Sequence, residues 1–112
     1  MTAKKNPANL NPLQLRTLTL FQAIAKSQSN APDANGNTRI EALPHAHGDH
    51  FHLGPYLVKG SDATGMSNPA VWAALQRKGM IEGQFGIALA LTPAGLEYET
   101  GLAETILHQG EH

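Results

Sequence analysis

The sequence predicts an α+β fold that is mainly helical and carries one small β-hairpin. Three observations predict it, and all of them lie between residues 67 and 100. A helix opened by a proline ends at Gly79, and two apolar runs on either side of residues 83–86 are typical of a hairpin. Thr92 and the proline after it then begin another helix at once. The element order of the second half of the chain follows from these signals.

The composition is that of an ordinary globular domain. The chain has 112 residues, 41% of them hydrophobic, and a formal net charge of −1 with neutral histidines. A basic chain would favour nucleic acid, and this balance does not. There is no run of about 18 apolar residues and no apolar segment behind the N-terminal lysines, so we expect neither a membrane span nor a signal peptide. The chain contains no cysteine, which excludes thiolate metal sites and fits a cytoplasmic location.

We interpret residues 1–112 as one domain. Its core is expected at about 11–107, with a loop insertion at about 27–53. Turn-forming residues fill 27–38, and a short strand is expected at 39–43.

The first helix begins at Asn11, with Gln14 placed to complete a capping box, and is expected to end near Lys26. Leu15 and Leu20 lie off its main apolar stripe. This second apolar side requires either a partner chain or a covering segment of the same chain.

Three further helices are expected. A short one is predicted at 56–59, opened by Pro55, and the last is predicted at 93–107. The middle helix, which either Ser67 or Asn68 can cap, carries an inward stripe of Val71, Trp72 and Leu75. Its outward face is then expected to hold three alanines and one basic residue: Ala70, Ala73, Ala74 and Arg77.

The residues that end the middle helix and open the last one form a recognisable series: Leu75, Lys78, Gly79, Met80, Ile81, Leu91, Thr92, Pro93, Gly95 and Tyr98. Together with the element order, this series resembles a winged helix-turn-helix domain. It is most similar to the multiple-antibiotic-resistance-regulator-like group of bacterial transcription regulators. The resemblance covers about residues 54–102, with residues 13–26 as the first helix. We also expect a homodimer through the first and last helices.

The resemblance implies binding to duplex DNA and a role in transcription regulation. In this family the helix at 68–78 would enter the major groove and the hairpin would touch the backbone. The side chains able to contact DNA are polar or basic: Lys59, Ser67, Asn68, Gln76 and Arg77. However, residues 83–86 include no lysine or arginine, and Glu82 beside them would repel phosphates. The alternative is a metal-binding or protein-interaction module on the same scaffold, and we expect no enzymatic activity in either case.

Histidines are dense just before this region. The candidate metal ligands are four imidazoles and one carboxylate: His45, His47, Asp49, His50 and His52. Zinc or nickel accepts such ligands. In strands, alternate residues share a face, so a turn at Gly48-Asp49 would bring two histidine pairs together. An exposed polar turn without metal and a pH-sensing cluster are the other interpretations.

Overall fold

The computed structural model describes residues 6–41, 43–44 and 46–109, with only the backbone described at 46, 47 and 109. This part of the chain has a mixed α+β fold with four α-helices and two small antiparallel sheets. The helices are α1 (Pro12–Gln28), α2 (Pro69–Arg77), α3 (Pro93–Glu97) and α4 (Ala103–Ile106). The strands are β1 (Thr38–Ile40), β2 (Ala46–His47), β3 (His50–Leu53), β4 (Tyr56–Lys59), β5 (Ile81–Gln84), β6 (Ala88–Leu91) and β7 (His108–Gln109). No helix among the described residues is long and apolar enough to cross a membrane.

Helix α1 forms the centre of the core. It starts as predicted, because the Asn11 side chain accepts from the Gln14 backbone while the Gln14 side chain accepts from the Asn11 backbone. Leu18, Leu20 and Phe21 are completely buried. Since α1 packs against β1, α2 and the 3₁₀ turn Thr64–Ser67, its second apolar side is covered by a segment of its own chain.

The first sheet has the strand order β1–β6–β5. The predicted hairpin is confirmed: β5 pairs antiparallel with β6, and β6 also pairs with β1. Ile40, Ile81 and Leu91 from its three strands are buried in the core. Gly83 adopts φ +134°, and a Cβ at this position would collide with the Ala88 carbonyl oxygen. The close strand approach near the end of this hairpin therefore requires glycine.

The second sheet has the order β2–β3–β4–β7. The helix predicted at 56–59 is wrong, because these residues form β4 and pair with β3. Gly54 adopts φ +57° and closes a two-residue turn with Pro55, which brings Tyr56 opposite Leu53. Val58 is then completely buried. The segment 27–53, predicted as a loop insertion, contains β1, β2 and β3.

The turn after α2 has the expected glycine. Gly79 has φ +79° and donates to the Gln76 carbonyl, while Met80 donates to the Leu75 carbonyl. This pair of hydrogen bonds is a Schellman motif, which satisfies the last carbonyl groups of the helix. The chain is thereby turned directly from α2 into β5.

The single C-terminal helix predicted at 93–107 is wrong. Thr92 caps α3 as expected, but α3 stops after five residues and Tyr98 is extended. The side-chain amide of Gln22, on α1, donates to the carbonyls of Gly95 and Tyr98 at 2.8 and 2.9 Å. A residue distant in the sequence thus provides donors for carbonyl groups at the end of α3. Gly101, at φ +76°, then lies in the bend before α4.

Gly95 lies where α3 packs against the turn between α2 and β5, since a Cβ there would collide with the Met80 backbone. We therefore expect Gly95→Ala to lower the free energy of unfolding by about 1–3 kcal/mol, because backbone cannot yield as a flexible side chain can. Ala94→Ser, on the exposed side of the same helix, is the matched control and should change stability by less than about 0.5 kcal/mol. Urea denaturation measures both, and equal stability of the two variants would contradict the described packing.

Candidate functional site

The outward face of α2 is small and mainly apolar. Val71, Trp72 and Leu75 are buried as predicted, but Ala74 is buried too, at 4% exposure, so its predicted outward position is wrong. Ala74 lies three residues after Val71 and therefore on the same helical stripe. The exposed residues of α2 are Pro69, Ala70, Ala73, Gln76 and Arg77.

Most of the side chains predicted to contact DNA bond to the protein's own backbone. The Ser67 hydroxyl donates to the Thr64 carbonyl, and the Asn68 side chain caps α2 by accepting from the Ala70 backbone. These two residues lie at one end of α2. Both are engaged in the local turn that begins the helix.

The remaining three predicted DNA contacts lie at two places: Gln76 and Arg77 at the end of α2, and Lys59 at the end of β4. The Gln76 amide donates to the Gly83 carbonyl at 2.6 Å and so ties α2 to the hairpin. Arg77 is exposed at the end of α2, whereas Lys59 is exposed at the end of β4 in the second sheet. None of these side chains lies on the β5–β6 hairpin itself, and residues 81–91 contain no lysine or arginine.

Trp72 joins the core to the hairpin. Its ring makes edge-to-face contacts with Phe21 on α1 and Phe85 beyond β5, with centroids 5.7 and 5.0 Å apart. Its Nε1–H donates to the Met66 carbonyl oxygen at 2.9 Å. Trp72 is only 3% exposed, so the predicted core position is confirmed.

The turn between β5 and β6 presents apolar side chains to solvent. We define the hairpin tip as Phe85, Gly86 and Ile87. Among the described residues, the large hydrophobic side chains that are exposed are Phe85, at 41%, and Ile87, at 75%. Sequence reasoning did not single them out, although two large apolar residues on either side of a glycine in a turn, where polar residues are usual, were an available signal.

A groove lies beside the hairpin tip. We define the tip groove as the cavity of about 260 Å³ between the tip and the segment after β1, lined by Ile40, Glu41, Leu43, Trp72, Gly86, Ile87, Ala88 and Leu89. Its lining is apolar apart from backbone groups and the carboxylate of Glu41. Small-molecule pockets usually measure about 300–1,000 Å³, so this groove is better matched to one or two side chains of another protein.

The histidine-rich segment forms a hairpin with the predicted turn. Gly48 adopts φ +69° between β2 and β3, and His47 pairs with His50 in the backbone register. His45 lies outside the described residues, and for His47 only the backbone is described. Among the described side chains, no group of three or more histidines and carboxylates lies close enough to hold a metal ion.

Three of the predicted ligands nevertheless lie together on this hairpin. The Nε2 atoms of His50 and His52 are 3.3 Å apart, with ring centroids 4.9 Å apart and ring planes at 78°. On the other side of the His50 ring, Nδ1 lies 3.5 Å from the Asp49 carboxylate. Asp49 is thus beside the histidine pair and not between its Nε2 atoms.

Comparison of this chain with protein-family models, with curated proteins and with solved structures finds no match. The resemblance to winged helix-turn-helix regulators therefore stays a prediction. The function has to be argued from the two surfaces described above, the hairpin tip with its groove and the histidine hairpin.

Because only Phe85 makes the ring contact with Trp72, the two apolar tip residues should contribute unequally to the stability of the protein. We expect Phe85→Ala to lower the free energy of unfolding by about 0.5–1.5 kcal/mol, because it removes an edge-to-face aromatic pair. Ile87→Ala should lower it by less than about 0.5 kcal/mol, since Ile87 is 75% exposed. Urea unfolding followed by fluorescence reports on this directly, as Trp72 is the sole tryptophan; a larger effect of Ile87→Ala would contradict the geometry.

Proposed function

We propose that this protein is a protein-interaction module that binds an apolar segment of a partner protein at the hairpin tip. The observation that carries the proposal is the exposure of Phe85 and Ile87 beside the tip groove. The apolar surface that these two side chains leave in water does not contribute to folding. Aromatic and aliphatic anchors of this kind supply most of the binding energy where proteins associate.

The chemistry of the groove defines the partner. Its apolar lining favours one or two aliphatic side chains, and the exposed carboxylate of Glu41 at the groove favours a neighbouring lysine or arginine. Phe85 does not line the groove, but its contact with the buried Trp72, which does, limits the motion of the hairpin tip. A partner would then lose less conformational entropy in ordering the surface.

The proposed scaffold is a winged-helix-type domain. Two arrangements support this: the strand order β1–β6–β5 in the first sheet, and α2 leading directly into the hairpin through Gly79. A cytoplasmic protein of bacterial type is our proposal for its setting, in keeping with the lack of cysteine. For a homodimer, the tip offers more apolar surface than α1, whose Leu18 and Phe21 are fully buried.

We predict that peptide selection will identify ligands that require Ile87. A displayed library of random 12-residue peptides is selected on the wild-type protein alone, and the selected peptides are then tested on Ile87→Glu. The selected peptides should combine an aliphatic residue with a nearby lysine or arginine, and they should change Trp72 fluorescence on binding. Ile87→Glu should weaken binding at least tenfold, whereas Ala94→Glu should not, because it adds the same charge at an exposed site on α3.

Peptides that bind wild type and Ile87→Glu equally well would overturn the proposal, as would a library that yields none. Sedimentation equilibrium on the same variants tests whether a second copy of this chain binds at the hairpin tip instead. A dimer of the wild type that dissociates in Ile87→Glu but persists in Ala94→Glu would make a second copy of this chain the partner.

Duplex DNA is the second candidate partner. It is favoured by the position of α2 before the hairpin, which is where the family it resembles places its recognition helix. Arg77 is exposed at the end of this helix. The hairpin tip does not favour it, since Phe85 and Ile87 cannot neutralise phosphates.

If DNA is the partner, we expect binding that depends steeply on salt. Fluorescence anisotropy with labelled duplexes should show affinity falling at least tenfold between about 50 and 200 mM salt. Arg77→Ala and Lys59→Ala should each weaken binding and lower the salt slope by about one. Lys26→Ala, which removes an exposed charge at the end of α1, is the control, and no binding to any duplex at low salt would exclude DNA.

A further inference from the structure

We propose that the β2–β3 hairpin holds a zinc site, in which His50 and His52 bind the ion through Nε2 and Asp49 orients His50. This site lies on the second sheet and goes beyond the proposed partner binding at the hairpin tip. The inference rests on the spacing of the two ring nitrogens, on the placement of the carboxylate and on the pairing of β3 with strands on both sides.

The spacing of the ring nitrogens matches tetrahedral coordination. Zinc–nitrogen bonds of about 2.0–2.1 Å at a tetrahedral angle place two ligand nitrogens about 3.4 Å apart, whereas a right angle places them about 2.9 Å apart. The observed separation between Nε2 of His50 and Nε2 of His52 is 3.3 Å. The same contact is a hydrogen bond between the two rings, in which one Nε2 carries a proton that zinc would have to displace. Zinc, which prefers tetrahedral sites, therefore fits better than square-planar nickel or copper.

The carboxylate occupies the position that supports a histidine ligand. Metal-binding histidines usually donate their second ring N–H to a carboxylate or carbonyl, which fixes the tautomer and the ring orientation. Asp49 lies 3.5 Å from Nδ1 of His50, the nitrogen that faces away from His52. The Asp49 side chain is fully exposed and the contact is longer than an ordinary hydrogen bond, so in the proposed site Asp49 moves closer to Nδ1 and orients His50 without binding the ion.

Strand β3 presents the two histidines on one face of a paired sheet. Both edges of β3 are bonded, to β2 and to β4. Leu53, on the opposite face, is buried in the core, while the His50 side chain is 40% exposed. The strand that carries the two histidines is therefore held on its core side, and the histidines remain accessible to a hydrated ion on its solvent side.

The described side chains supply two of the four ligand positions, and water can fill the others. The backbone of His47 pairs with that of His50 across the turn. His108 is different, because it pairs with Leu57, which in turn pairs with His52. Two strand spacings of about 4.8 Å separate the backbones of His108 and His52, so in the proposed site the ion is bound at the His50–His52 pair and not by His108.

The test uses the untagged full chain, freed of metal by a chelator and then titrated with zinc in competition with a chromophoric chelator. We expect one zinc ion per chain with a dissociation constant in the micromolar range or below. His50→Ala and His52→Ala should each weaken binding at least tenfold, and Asp49→Asn by about tenfold. His108→Ala removes an exposed histidine from the same sheet and should leave the affinity unchanged.

Cobalt provides a readout of geometry. The cobalt-loaded protein should show the strong visible absorption of tetrahedral coordination, and this absorption should be lost in His50→Ala but kept in His108→Ala. Circular dichroism confirms that each variant is folded. Zinc affinity that is equal in His50→Ala, His52→Ala and His108→Ala would overturn the proposal, and so would a weak octahedral cobalt spectrum.

Discussion

The position of Trp72 is the constraint on which the rest of the structure depends. Its ring lies between Phe21 of the central helix and Phe85 of the hairpin tip, and its N–H satisfies the Met66 carbonyl at the turn before α2. One side chain therefore fixes the relative positions of α1, the 3₁₀ turn, α2 and the hairpin. A smaller residue here would leave both a void and an unpaired buried carbonyl, which are separately destabilising.

The two sheets have different surfaces, and this division accounts for the two proposals. The first sheet ends in an apolar tip that is held by the core, with one carboxylate at its groove. The second sheet carries His50 and His52 on its outer side, with Leu53 buried beneath. Each surface consists of side chains that are at least partly exposed. Each is supported by a buried side chain, Trp72 in the first sheet and Leu53 in the second. A partner-binding surface and a metal site can therefore coexist on one small domain.

Local signals allowed much of the fold to be predicted from the sequence. Capping residues at Asn11, Asn68 and Thr92 and the glycine at Gly79 act within a few residues, so the helix starts and the turn into β5 could be anticipated. The end of α3 could not, since it depends on Gln22, more than 70 residues earlier. Strand β4 was mistaken for a helix because a four-residue apolar run has no distinguishing period.

The same distinction applies to the two sites. The turn between the histidine pairs is local and was predicted, whereas the tip groove combines residues near 40, 72 and 87 that only the fold brings together.

The central claim is that Trp72 holds the tip in place before any partner binds. A nuclear Overhauser spectrum of the free protein tests it most directly. We expect cross-peaks between the indole protons of Trp72 and the ring protons of Phe85, whose centroids are 5.0 Å apart. Their absence, with Phe85 shifts typical of an unstructured chain, would contradict the claim.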